Sequence, residues 1–151
     1  MMVDVFKSRK RSEIMSRVKG RENLATELRL LSIFRAHGIK GWRRNARLFG
    51  KPDFVFPEIQ TAVFVDGCFW HGCPIHGSVP QTNRTFWRKK LAYNKKRDIQ
   101  VNRKLGEDGW RTVRIWQHEL KKPETLIVRL RRKLLMMPHK SRRADRNSQL
   151  R

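Results

Sequence analysis

Two short apolar runs stand close together near the middle of the chain, Phe54-Val55-Phe56 and Ala62-Val63-Phe64-Val65. Apolar runs of this length, separated by Pro57-Glu58, predict strands, and the longer one, ended by Asp66-Gly67, is nearly all apolar and so expected to be covered on both faces. Thr61 to Asp66 reads as the central strand. Trp110 to Trp116 alternates instead, with Trp110, Thr112 and Arg114 on one side and Val113 and Ile115 on the other, which predicts a half-buried strand. Helical spacing takes over between them. Trp87, Leu91, Asn94, Asp98, Val101 and Leu105 recur every three or four positions, so a helix from about Thr85 to Glu107, stopped at Gly109, buries one face. Leu24, Glu27, Leu28, Leu31 and Phe34 share a face of an earlier helix, with Asn23 as its cap and Gly38 as its stop. Pro123 opens a last helix to about Met137. Ile39 to Arg44 predicts a further strand, Leu48 to Asp53 a turn, and Gly67 to about Arg84 a loop. Residues 1–20 carry no long apolar stripe and read as a basic arm with a short helix around Ser12 to Val18. Residues 138–151 are polar and basic and are expected to be disordered. No internal repeat is visible. The order implies one α/β domain over residues 21–137, a mixed sheet flanked by helices.

The stripes contain charges where a core expects none. Asn94 and Asp98 interrupt the long helix's apolar face, and an ionised Asp there needs a partner or a metal. A structural role, pairing with a buried Arg or capping a backbone group, and a catalytic role are equally good readings of Asp98 from periodicity. Glu27 sits beside the first helix's core stripe, where a boundary ion pair is the simpler reading. Asp53 follows Pro52 at the head of one strand, and Asp66 ends the next. If these strands are antiparallel neighbours, Asp53 and the chain around Val65–Asp66 meet, and converging carboxylate and backbone oxygens suit a hard divalent cation such as Mg²⁺.

Charge changes the picture of the substrate. The chain holds 36 Lys+Arg against 13 Asp+Glu, a formal net charge of +23. Such an excess repels itself without a counter-charge, and nucleic acid is the commonest polyanion. No apolar run approaches membrane-spanning length, and the N-terminal residues lack the apolar segment of a secretory signal. With two cysteines, this points to a reducing, cytoplasmic setting.

The densest chemistry lies in Asp66 to His76, DGCFWHGCPIH. Cys68, Cys73 and His76 have the spacing C-x4-C-x2-H, and His118 follows the last strand. Two thiolates and two imidazoles make a closed tetrahedral zinc site of structural type. His71 is a fifth candidate for four places, and spacing does not choose among the histidines. A site built from the other four leaves His71, beside Trp70 and near Asp66, free as a base. A Cys68–Cys73 disulfide and plain buried thiols are the competing readings. Phe69-Trp70 places two large apolar neighbours in a glycine-flanked loop, where burying both together is hard.

These residues resemble the very-short-patch-repair (Vsr) mismatch endonucleases. The resemblance runs in order through Met15-Ser16-Arg17-Val18, Thr26-Glu27-Leu28, Gly50-Lys51-Pro52-Asp53, Val63 to His71, Pro80 with Phe86-Trp87, Asn94 with Arg97-Asp98, and Gly109-Trp110-Arg111 through Ile115-Trp116. It implies a restriction-endonuclease-like α/β fold with a structural zinc, and Mg²⁺-dependent nicking 5′ of the T in a T:G mismatch left by deaminated 5-methylcytosine. It implies Asp53 as the principal Mg²⁺ ligand with the main-chain carbonyl of Val65, His71 as general base or leaving-group partner, and Glu27 and Asp98 orienting metal-bound waters. Met15, Phe69 and Trp70 would wedge between base pairs, and Cys68, Cys73, His76 and His118 would hold zinc. Mismatch-repair proteins and a repair polymerase are the implied partners, and a monomer is expected. The broader nuclease motif carries a Lys two residues after the second acid, whereas Gly67-Cys68 follows Asp66 here, which passes the water-activating role to His71. Asp66 stays open as a ligand, a partner of His71, or neither. Two other readings remain: a same-fold nuclease with a homing- or restriction-type target, and a non-catalytic zinc-stabilised DNA-binding protein.

Overall fold

The computed structural model describes residues 3–135, so the expected tail at 138–151 and the end of the helix expected to reach Met137 lie outside the described residues. The first element is α1, Val3–Ala36, one unbroken helix. The expected arm with a short helix, and the cap at Asn23, are replaced by continuous helix. No proline interrupts the segment, Gly20 alone costs only about 1 kcal/mol, and the Thr26 hydroxyl donates back to the Asn23 carbonyl at 2.9 Å. The buried side also differs from the expected stripe. Thr26, Leu30, Leu31, Ile33 and Phe34 are buried, whereas Leu24 and Leu28 are exposed, so the core-facing stripe is rotated by about one residue and keeps Glu27 at its edge.

Past α1 the expected Ile39–Arg44 strand contracts to a single antiparallel bridge, Arg43 with Val55. Gly38 and Gly41 both take positive φ, which breaks the extended run. Trp42 is instead turned onto Phe34 and Phe54, its indole donating to the Ile39 carbonyl at 2.9 Å. The strands β1 (Phe54–Phe56), β2 (Thr61–Asp66) and β3 (Arg111–Trp116) form a sheet in that order. β1 runs antiparallel to β2, with Phe54 opposite Val63, and β2 runs parallel to β3, with Phe64 opposite Arg114. The helix α2, Arg84–Glu107, makes the crossover between the two parallel strands, and α3, Pro123–Leu135, closes the domain.

The two faces of β2 divide the core. Val63 and Val65 point, with Val113 and Ile115, into a cluster with Leu30 and Phe34 of α1 and Leu126, Ile127 and Leu130 of α3. Ala62 and Phe64 point the other way, onto Val101 and Leu105 of α2. Every residue of β2 is buried, as its unbroken apolar run predicts. The predicted stripe of α2 is also the observed one: Leu91, Asn94, Val101 and Leu105 are buried, with Trp87 and Asp98 at its margins.

One glycine fixes the approach to the site. Gly50 has φ +79°, and a Cβ added there would lie 2.4 Å from Cγ1 of Val101. Gly50→Ala is expected to destabilise by about 2–4 kcal/mol, from left-handed strain and overpacking together. Urea unfolding checks this, and a change within 0.5 kcal/mol, about the size of a neutral surface substitution, would show that the turn is not held against α2.

Candidate active site and metal cluster

Asp53 stands at the head of β1, two positions before Val55, and its backbone N–H donates to the Val63 carbonyl at 3.0 Å. That antiparallel register turns its carboxylate onto β2, where Oδ2 accepts the Val65 N–H at 2.8 Å. Burial pushes its pKa up to about 6, with the charges of Glu27 and Asp66 adding to the shift and the Val65 hydrogen bond opposing it. Glu27 is therefore close enough to act on Asp53, yet its own carboxylate is paired with Arg44 at 2.8 Å, the boundary ion pair.

At the far end of β2 the chain turns through a tight loop. His71 N–H returns to the Gly67 carbonyl at 3.1 Å and Cys73 N–H to the Cys68 carbonyl at 2.9 Å. The loop presents His71 to α2, where its Nδ1 lies 2.6 Å from Oδ2 of Asp98 and 3.7 Å from Oδ1 of Asp66. A carboxylate at Nδ1 selects the tautomer that leaves Nε2 as the acceptor. Burial raises the Asp66 pKa as well, against the opposing charges of His71 and Arg114. Arg114 of β3 reaches Oδ1 of Asp66 at 2.8 Å and Oδ1 of Asp98 at 3.6 Å. Asp98, which its place on the stripe required to have a partner or a metal, thus meets both His71 and Arg114. Asn94, one turn before it and buried, donates to the Trp70 carbonyl at 2.8 Å and pins the loop just ahead of His71.

These groups share one cleft of about 150 Å³, lined by Asp53, Val65, Asp66, His71 and Asp98 together with Lys19, Lys51 and Arg97. Lys19 enters from α1 and lies 5.5 Å from the Trp70 ring centroid. Burial, then Lys90 and Arg97, holds its ammonium below the usual lysine range. Met15 precedes it by one turn on the same helix and so lies toward the same side.

The aromatic pair is packed rather than splayed. Trp70 is only 5 % exposed, and Phe69 and Trp87 pack on it with ring centroids 5.0 and 6.0 Å away. Trp87 of α2 supplies the cover that two adjacent rings could not provide for each other. Phe69 is half-buried, and Phe86 beside Trp87 is exposed.

The second cluster lies on the other side of the same loop. One ligand atom from each of Cys68, Cys73, His76 and His118 falls within 4.8 Å of the other three. His118 Nδ1 lies 3.3 Å from Cys68 Sγ and 3.6 Å from Cys73 Sγ. Tetrahedral zinc with bonds of about 2.3 Å to sulfur and about 2.0 Å to nitrogen separates S and N by roughly 3.5 Å, so the donor set and its spacing fit that ion. Cys68 and Cys73 are not joined in a disulfide, and His71 is not among the four.

Sequence reading missed Arg114, Arg44 and Lys19. Arg114 had one available signal: it falls on the polar side of the alternating strand and therefore faces α2 with Asp98.

The raised Asp53 pKa has a consequence without any ligand. Between about pH 4 and pH 6 the folded chain holds a proton that the unfolded chain has released, so stability falls as pH rises through this window and stays low above it. The loss is at most about 3 kcal/mol. Asp53→Asn is expected to melt several degrees above the parent at pH 7.5 without Mg²⁺, and at the same temperature as the parent at pH 4. Equal melting at pH 7.5 would show that this carboxylate carries no such strain.

Residues 3–76 match the family model described as DNA mismatch endonuclease Vsr. The chain is 36% identical over 127 residues to DNA mismatch endonuclease Vsr of Escherichia coli, covering 83% of this chain and 80% of that protein. It is 33% identical over 132 residues to the Type II nicking enzyme V.NmeAIP of Neisseria meningitidis, covering 87% of this chain and 94% of that protein. To the Type II nicking enzyme V.NaeI of Lentzea aerocolonigenes it is 54% identical over 69 residues, 46% of this chain and 42% of that protein. A match that runs through α1, the Asp53 turn, the cysteine–histidine loop and beyond places this chain in the Vsr family of DNA mismatch endonucleases.

Proposed function

We propose that this protein is an Mg²⁺-dependent, strand-specific endonuclease that nicks 5′ of the T in T:G mismatches, on a restriction-endonuclease-like fold stapled by structural zinc. The observation that carries the reading is the Asp98–His71 pair, 2.6 Å apart, in one basic-lined cleft with Asp53. Asp53 and the Val65 main chain would hold the magnesium, and a carboxylate burdened by burial and by neighbouring acids is a good host for a cation. Magnesium, when bound, supplies charge that stabilises the attacking and leaving oxygens of a phosphodiester displacement. His71, oriented through Nδ1 by Asp98, accepts or returns a proton at Nε2. Glu27 and Asp66 set the charge around these two groups. Cys68, Cys73, His76 and His118 would hold zinc and fix the loop that carries His71.

Met15, Phe69 and Trp70 are assigned to the wedge. A T:G pair is cheaper to deform than a matched pair, and rings that replace lost stacking turn that difference into selectivity. Phe69 would leave its packing on Trp70 and Trp87 to do this. Trp70 must first exchange its contacts with Trp87 for contacts with bases. Lys19, Lys51 and Arg97 meet the phosphates.

The test is a nicking assay with Mg²⁺ on duplexes carrying one T:G or the matched T:A, each strand labelled separately. A single nick on the T strand, absent from the matched duplex, is expected. The similarity to Type II nicking enzymes supports a second reading, a nickase with another target, and equal cleavage of both duplexes would favour it. Retained DNA binding with no cleavage would favour a binding protein.

A further inference from the structure

Two carboxylates crowd one imidazole N–H in this cleft. Asp98 Oδ2 lies 2.6 Å from His71 Nδ1 and Asp66 Oδ1 lies 3.7 Å from it. Both acids belong to rigid elements, α2 and β2, so backbone placement does not remove the competition. Arg114 stands between them. Its Nη1 is 2.8 Å from Asp66 Oδ1 and 3.6 Å from Asp98 Oδ1. The guanidinium is itself fixed on its remaining sides: Nε donates to Asn102 Oδ1 at 3.0 Å, and its centre lies 4.2 Å from the Phe64 ring centroid. A planar cation held by an amide and an aromatic face has little freedom to choose another partner. It occupies the one Asp66 oxygen that faces His71, and it meets Asp98 on the oxygen that His71 does not use.

We propose that Arg114 is a positioning residue, which engages Asp66 and so reserves the His71 Nδ1–H for Asp98, leaving Nε2 as the reacting nitrogen. Asp66 is then the anchor for Arg114 rather than a metal ligand. This rests on the function proposed above, in which His71 moves the proton.

The experiment combines kinetics with a readout of the hydrogen bond itself. In protein carrying ¹⁵N-labelled histidine, an imidazole N–H held this close to a carboxylate gives a far-downfield proton signal. Arg114→Met is expected to weaken that signal and move it upfield, because the Nδ1–H is then shared between Asp98 and Asp66, and to lower kcat about 30-fold, with KM for DNA within about twofold. Arg114→Lys keeps the charge and is expected to keep the signal, with a loss of about threefold. Asp66→Asn is expected to cost about tenfold, because the freed cation turns to Asp98. The double variant Asp66→Asn with Arg114→Met removes competitor and arbiter together, and is expected to recover the signal and return to within about fivefold of the parent. Arg114→Met at the parental rate, or a double variant as slow as the two single losses multiplied, overturns the proposal. So does an unchanged signal in all four variants. If Arg114→Met fails to fold, the comparison of Asp66→Asn with the double variant decides the same question. Should the parent nick no T:G duplex while the signal follows this pattern, the proposed function fails and the positioning role stands.

Discussion

Asp53→Ala and His71→Ala are each expected to lower nicking by about 10²–10⁴-fold while DNA binding stays within a fewfold of the parent. The two sites fail for different reasons. Asp53 is the carboxylate that β1 turns onto Val65, and its loss removes the charge that would hold a cation. Among the described residues, His71 is the one histidine outside the cysteine cluster whose ring meets a carboxylate of the cleft, and its loss removes the proton-transfer group. Binding survives in both because it rests on phosphate contacts spread over a chain with a net charge of +23. Single-turnover nicking of a T:G duplex, with binding measured beside it at one fixed salt concentration, checks both. Full activity in either variant would sink the site assignment.

The second large effect concerns the cysteine–histidine cluster. Elemental analysis is expected to find one zinc per chain, and Cys73→Ser is expected to lose it. Cys73 is buried, and Gly77 packs so closely on its carbonyl that an added Cβ would come within 2.4 Å, so the loop has no loose alternative once a ligand is gone. His71 lies between Cys68 and Cys73 in sequence, and nicking should fall on the order of 100-fold or more even where the sheet survives. Chelation of the parent protein should lower its melting temperature with the same loss of activity. A fully folded, active protein without zinc would refute the assignment.

How far these features could be read from the chain depended on the range of the signal. β2 and the α2 stripe were legible because periodicity is local and strong. Asn94 and Asp98 were legible as anomalies because a polar residue on a buried face demands a partner. The meeting of Asp53 with Val65 needed only a short antiparallel connection. The identity of the partners needed more. Arg114 reaches Asp66 because β2 and β3 are parallel with Phe64 opposite Arg114, and no local pattern encodes a register set across an intervening helix. Phe69-Trp70 looked too bulky to pack because Trp87, the residue that covers Trp70, comes from another element. The length of α1 was hidden for the opposite reason. Its first half has no apolar stripe, and Ile14 and Val18 are exposed, so a hydrophobic pattern carries little trace of it.

The parallel pairing of β2 with β3 also sets a schedule. A parallel neighbour can be added only after its crossover has been made, so during synthesis the strand that ends in Asp66 waits, with one edge bare, until Trp116 has left the ribosome. Asp53, Asp66 and the loop carrying His71 are all present long before Arg114 arrives. An unfinished chain can thus pair β1 with β2 and set Asp53 against Val65, but it lacks the strand that carries Arg114. The cleft is therefore completed late, when β3 brings Arg114 to Asp66 and Asp98.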